Sequence, residues 1–392
     1  MQKQRSITVL PYIVAAQFAC TSVWFAGNAA ITDIIRQFGL SADALGHLVA
    51  AVQLGFITGT LLFAVFTVSD RFSPFRVFFA CAMAAALTNL SVFVADGFSL
   101  LLVARFMTGF FLAGIYPVGM KIAADYHKEG LGKALGWLVG ALVLGTAFPH
   151  LVHVYTSSFS WKAVMIVSSL LSVTGGITML FFVPDGPYRS RSNGFDPSVL
   201  RRIFRNGLFR SAAFGYFGHM WELYTFWAFV PSILYTYFDQ YTSTGQSVPM
   251  LSFCIISAGA IACIGGGYLS RRIGSARTAS LALVISASCC LLSPLFFHFS
   301  FPVFCLFLVV WGMSVVADSP QFSTLVAQAI PAEIRGTALT ITNSIGFAIT
   351  ICSIETINYL RPYIAPRNLY LILAIGPILG LLAMKKQLQK RE

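Results

Sequence analysis

Hydrophobic residues along this chain come in unbroken runs of about 20–28 residues, parted by short polar clusters. Such runs are too long for strands and long enough to cross a hydrocarbon core of about 30 Å as helices. The pattern predicts twelve helices, at roughly 7–32, 43–68, 75–95, 97–122, 132–157, 162–183, 208–238, 248–270, 276–298, 301–328, 335–360 and 366–384. No large soluble domain fits between them. The first run opens with Lys3 and Arg5, as a cleaved export signal would. It stays apolar past any cleavage-site length into Trp24 and Ala30, which predicts a retained first helix.

One interruption is longer and more basic than the rest. Around it lie Arg189, Arg191, Arg201, Arg202, Arg205 and Arg210, a concentration of charge that lipid accepts only at a prohibitive cost. The stretch is therefore expected to be a solvated loop between two membrane-embedded bodies. The predicted organisation is an all-α membrane protein with twelve transmembrane helices in two pseudo-symmetric six-helix bundles. Residues 1–183 form the first, 208–392 the second, and 184–207 a cytoplasmic basic linker.

Composition agrees: the chain is 57% hydrophobic and 10% charged, against roughly 25% charged residues in a soluble domain. The net charge of +12 does not call for a nucleic-acid partner, because the basic residues recur in alternate loops. Lys3 and Arg5, Arg71 and Arg76, Lys128 and Lys133, the linker arginines, Arg271, Arg272 and Arg277, Arg335 and the terminal Lys385 to Arg391 all fall where an alternating topology puts the cytoplasm. Both termini are expected there, in a cytoplasmic (inner) membrane. The eight cysteines lie inside apolar runs, with no CxxC and no histidine cluster at ligand spacing, so they read as packing residues and no metal or cofactor is expected. The absence of HExxH, GxSxG and a phosphate-binding glycine loop argues against a membrane-embedded enzyme.

The two halves repeat. A shift of 201 lays Gly267–Arg277 over Phe66–Arg76, with Arg271-Arg272 opposite Asp70-Arg71. A shift of 203 matches Gly109 to Gly312 and Pro117 to Pro320, and a shift of 204 matches Gly132, Ala134 and Leu135 to Gly336, Ala338 and Leu339. With these residues the chain resembles the major facilitator superfamily along its whole length. That family's loop between the second and third helices reads Gly-x-Leu-x-Asp-Arg-x-Gly-Arg-Arg. The first half keeps Asp70 and Arg71 but has Phe66, Ser73 and Pro74 at the other positions, while the second keeps Gly267, Leu269, Arg272 and Gly274. The family's fourth-helix motif, Leu-x-x-x-Arg-x-x-x-Gly, is complete as Leu101, Arg105 and Gly109. The fifth-helix Gly-Pro motif of proton antiporters is only partly matched, since Ala141 stands at the proline position. The seventh-helix run looks most similar to cyanate or nitrate carriers. The arginines of the nitrate type are replaced by Gln53-Leu54-Gly55 and Ile261-Ala262-Cys263.

An ionisable group midway along an apolar helix is costly unless paired or hydrated, so each marks a candidate site. Glu222 falls near the middle of the seventh run, in His219-Met220-Trp221-Glu222-Leu223-Tyr224. It is the candidate proton-coupling group, with His219 and, before Pro320, Asp318 as further protonatable candidates; a neutral acid bonded within the core is the other reading. The resemblance implies that Arg105 faces the central cavity and takes part in proton transfer or holds an anion, and structural pairing is its alternative. Trp24, Trp221 and Tyr224 are candidate aromatic walls for an organic solute. Asp70, Arg71 and Arg272 are candidate gating residues at the cytoplasmic edge, or ordinary loop charges. His150 and His153, at i and i+3, lack a third metal ligand.

The expected protein is a monomeric secondary transporter working by alternating access between its bundles on a small organic or anionic solute, with protons as coupling ion. A multidrug exporter of the same fold and a non-transporting receptor or scaffold remain as alternatives.

Overall fold

A helix satisfies all its internal backbone N–H and C=O groups within one segment, which lipid cannot do for it. Every regular element among the described residues is helical. The computed structural model describes residues 2–41, 43–127, 131–156, 160–189, 199–241, 247–331 and 334–389, and the chain divides into two compact units, Met1–Phe195 and Asp196–Glu392.

The first unit contains α1 (Gln2–Thr21), α2 (Ala26–Ala29), α3 (Ile31–Phe38), α4 (Ala44–Val65), α5 (Val68–Arg71), α6 (Pro74–Leu90), α7 (Phe98–Leu112), α8 (Tyr116–Tyr126), α9 (Leu131–Thr156) and α10 (Lys162–Phe182). The second contains α11 (Val199–Arg205), α12 (Gly207–Tyr241), α13 (Val248–Ile273), α14 (Ser275–Phe296), α15 (Phe301–Ala317), α16 (Ser319–Gln328), α17 (Arg335–Leu360), α18 (Pro366–Leu369) and α19 (Ile375–Gln389). Among the described residues, 10 stretches are long and apolar enough to cross a membrane. The first predicted span and the seventh fall outside that set. Only Val9–Thr21 of the first is a continuous apolar helix. The 35 residues of α12 include Arg210, His219, Glu222 and several tyrosines and tryptophans, which dilute its hydropathy. Leu54, Leu87, Phe181, Ile261 and Leu306 are more than half exposed on the helix surfaces, a cost in water that vanishes against lipid.

Four expected helices are interrupted. The first stops at Thr21, where the Thr21 hydroxyl bonds back to Gln17 O at 2.8 Å and that of Ser22 to Ala19 O at 2.7 Å, local bonds that compete with the helical ladder. The fourth breaks between α7 and α8 and the tenth at Asp318, each just before a proline in the first turn of the next helix. Proline lacks the N–H and disfavours helical geometry in the residue before it. The twelfth passes through a 3-10 turn, Tyr370–Ala374.

The repeat is visible in packing. In the first unit α4 packs on α7, α6 on α10, and α1 on α10 and α9; in the second the corresponding pairs are α13 on α15, α14 on α19, and α12 on α19 and α17. The matched glycines explain why. A Cβ on Gly109 would lie 1.9 Å from Val52 O, and one on Gly312 would lie 2.4 Å from Ile255 O. Val52 and Ile255 are related by the same shift as the two glycines, so both units bring the same pair of backbones into direct contact. The loop motif is less uniform. Gly274 ends α13 with φ +86°, a left-handed conformation that favours glycine, whereas the first unit turns at Thr67, with φ +49°. A β-branched residue is strained there.

Gly109→Val is expected to destabilise the purified protein by at least about 2 kcal/mol, because backbone rather than a flexible side chain occupies the space. Thr67→Gly should instead stabilise it by about 1 kcal/mol through relief of the left-handed strain. Thermal unfolding in detergent measures both, and a neutral Gly109→Val would contradict the close contact.

Candidate functional site

Each unit holds buried ionisable groups, and each handles them differently. In the first, Arg105 extends from α7 with 3% of its surface exposed. The break after α1 leaves carbonyls without helical partners, and the guanidinium takes them: Nη2 donates to Val23 O at 3.2 Å and to Trp24 O. Nη1 donates to Asn89 Oδ1 at 2.9 Å. Asn89 Nδ2 in turn donates to Ser169 Oγ at 3.0 Å and Met165 O at 3.2 Å. A planar fork can serve two directions at once, so Arg105 joins α7, α6 and the broken first span, and through Asn89 reaches α10. Trp24, Gly27, Asn28 and Arg105 border a narrow cleft completed by apolar residues of α3 and α4, with room for about one water molecule. The amide of Asn28, buried at this cleft, has no hydrogen-bond partner among the described residues.

In the second unit Glu222 is 1% exposed and faces donors. Its Oε1 accepts from Trp311 Nε1 at 2.6 Å, and the Ser286 hydroxyl lies 2.6 Å from both carboxyl oxygens. Cys290 Sγ donates to Oε1 at 3.1 Å. Ser286 and Cys290 are four residues apart on α14 and so share one face. His219 Nδ1 lies 2.8 Å from Asp318 Oδ1, both residues 1% exposed. Asp318 sits at the α15–α16 break, where it caps no helix with its side chain and lies within electrostatic range of Glu222. Tyr216 and Phe322 flank the His219 ring, with centroids 5.8 and 6.0 Å away.

The structure thus gathers Glu222, His219 and Asp318 in one unit, and Arg105 with Trp24 in the other. Trp221 does not join them: its Nε1 donates to Ile372 O at 3.2 Å, towards the last span. Tyr224 packs against Trp227 and Phe347, on the α17 side. Arg71 and Arg272 are exposed; the side chain of Asp70 lies outside the described residues. Beside that loop is a contact that the sequence did not announce. Arg189 donates to Asp185 Oδ2 at 2.8 Å and to Phe72 O at 2.9 Å, while Ser73 donates to the same Asp185 oxygen at 2.9 Å. Among the described residues no cluster of three or more His, Cys, Asp or Glu could hold a metal ion. Trp311, Ser286, Cys290, Asn89 and Asn28 were missed from sequence. The Ser286–Cys290 spacing was the only available signal, and nothing linked that face to Glu222.

Two helical units built on one packing plan, clothed in apolar side chains and holding ionisable groups midway along their helices, define a multi-pass membrane protein. The chain belongs to the Major Facilitator Superfamily, whose family model matches residues 13–352. Among similar proteins, AraJ of Escherichia coli (strain K12), which carries a transporter's name, is 22% identical over 40% of this chain and 39% of its own length. Efflux pump FUB11 of Gibberella moniliformis is 27% identical over 48% of this chain and 33% of its own. The 4-hydroxybenzoate transporter PcaK of Pseudomonas aeruginosa is 23% identical over 39% of this chain and 34% of its own. The matched part of the chain thus spans between a third and two-fifths of these relatives.

Because a lysine cannot fork, Arg105→Lys is expected to lower the stability of the purified protein by on the order of 2 kcal/mol. Asn89→Ala should cost a similar amount, and the double variant less than the sum, since both single changes remove the same bond. Strict additivity in thermal unfolding would show that the Arg105–Asn89 bond carries nothing.

Proposed function

We propose that this chain is a proton-coupled secondary transporter of a small organic or anionic solute, working by alternating access through twelve membrane-spanning segments with both termini in the cytoplasm. The observation that carries this reading is the buried trio Glu222, His219 and Asp318. Three protonatable groups stand side by side within a bundle, on helices whose other buried faces are apolar or neutral. Burial of that kind is expensive and is kept where a proton has work to do. Arg105 and Trp24 border the cleft of the first unit, which has room for about one water, so they meet an anionic organic solute only after that cleft widens and Arg105 exchanges partners. Asp70, Arg71 and Arg272 act at the cytoplasmic ends of their helices as gating residues. A multidrug exporter is the second reading, favoured by the efflux pump among the similar proteins; the 4-hydroxybenzoate transporter favours the first.

A thermal-shift screen of small organic acids, peptides and drugs against the purified protein identifies the solute class, since a ligand bound only by the folded state stabilises it. With that ligand in proteoliposomes, Glu222→Gln, a fixed mimic of the protonated acid, should bind and exchange solute but lose pH-driven accumulation. Accumulation with unchanged pH dependence would remove Glu222 as the coupling group and turn attention to Asp318. For orientation, a single cysteine at Ser192, in the linker and outside the described residues, should resist an impermeant thiol reagent applied to intact cells; labelling from outside would reverse the topology.

A further inference from the structure

In the second unit α12 meets α15 and its C-terminal end at two polar contacts: a hydrogen bond from Trp311 to Glu222 at 2.6 Å, and a close approach of His219 to Asp318 at 2.8 Å that lacks hydrogen-bond geometry. The partners are three residues apart on α12, a spacing that returns to one face, and seven apart between Trp311 on α15 and Asp318 at its C-cap. The second contact ends at the break between α15 and α16. An indole N–H can only donate, so the first contact requires a carboxyl lone pair. Ser286 and Cys290 could turn and accept from a protonated carboxyl; Trp311 could not.

The groups that face Glu222 are few. From α14 come Cys289 and Cys290 and from the α15–α16 junction Asp318, while His219 stands one turn away on α12 itself, against Asp318. Cys263 on α13 lies near Asp318. From α17, Thr350 and Ser353 are bonded to Met220 O and the Thr225 hydroxyl, and neither titrates; the carboxyl of that helix, Glu355, lies at least two residues beyond them towards its C-terminal end. Trp311 also packs against two rings, with Phe226 at 4.7 Å and Phe307 at 5.6 Å between ring centroids. Its N–H is therefore aimed by packing and is not free to follow the carboxyl elsewhere.

We propose that Trp311 is the positioning residue for Glu222, holding the charged carboxyl against α15 so that proton uptake loosens the α12–α15 contact beside the Asp318 break. This rests on the reading of Glu222 as the coupling group. In the step itself one proton from water adds to a carboxylate oxygen, an O–H bond forms and the charge is discharged. No other covalent bond changes and no redox partner is needed.

The test uses the full chain in lipid nanodiscs and the proton as its only ligand. Tryptophan emission, which depends on the charge of a group bonded to the indole N–H, is followed during acid titration. One component should titrate in the unmodified protein and be absent from Glu222→Gln. In parallel, the infrared carboxyl band that disappears in Glu222→Gln should titrate at a pH about one to two units higher in Trp311→Phe, which keeps the ring and removes the donor. A titrating emission component that persists in Glu222→Gln, or a carboxyl band whose midpoint Trp311→Phe leaves in place, would overturn the proposal. If Trp311→Phe fails to fold, the emission of Glu222→Gln still decides. Loss of the emission component in Glu222→Gln together with undiminished pH-driven accumulation would defeat the coupling reading while the Trp311–Glu222 pair stands.

Discussion

A hydrocarbon interior offers no water to a polar side chain, so every ionisable group carried into it must find its partners within the protein. Arg105 and Glu222 are opposite answers to that demand. The cation is met by the Asn89 side chain and by two carbonyls at an interrupted span, so the break after Thr21 and the burial of Arg105 belong to one arrangement. The carboxyl of Glu222 is met by side-chain groups, an indole, a hydroxyl and a thiol, which intact helices can present. Hence α12 runs unbroken through Glu222 for 35 residues, while the first span does not.

The internal repeat fixes where helices touch and leaves open what they carry. Gly109 and Gly312 bring the same two backbones together in each unit, yet at the same shift of 203 the position of Arg105 is taken by Leu308, that of Trp311 by Thr108 and that of Asp318 by Ile115. Backbone approach is demanding, because a single Cβ in the wrong place separates the helices, and so the glycines persist in both copies. The charged positions have no such double. One unit has specialised in a cation and the other in carboxyls, on a shared frame.

Much of that frame was legible in the sequence. Long apolar runs and the matched glycines give the apolar helices and the packing equivalence, because length and hydropathy are properties of single segments. The interruptions were less legible. Pro117 and Pro320 pointed to two of them, but at the stop after Thr21 the local Thr21 and Ser22 hydroxyl bonds are joined by Arg105 from another helix, and no local pattern shows that pairing. The sites divide the same way. Glu222, His219, Asp318 and Arg105 declare themselves as charges in apolar surroundings, whereas Trp311, Ser286, Cys290 and Asn89 are ordinary membrane residues until the tertiary structure sets them against a charge. Trp221 and Tyr224 illustrate the converse: proximity to Glu222 in sequence placed them on other faces of α12, towards Ile372 and Phe347.

That division bears on how a proton could be felt by the fold. A charge satisfied by backbone carbonyls, as at Arg105, is tied to the path of the main chain, and removing it would take a donor from those carbonyls. A charge satisfied by side chains can change partners at smaller cost, since rotamers move more easily than backbone. Glu222 belongs to the second kind and stands one helical turn from His219, whose own partner lies at a helix break. A carboxyl with exchangeable partners next to a point where the backbone is already interrupted is the part of this molecule best suited to convert a change of one charge into a change of helix packing. Arg105, locked on both sides, is suited to keep its surroundings fixed while that happens.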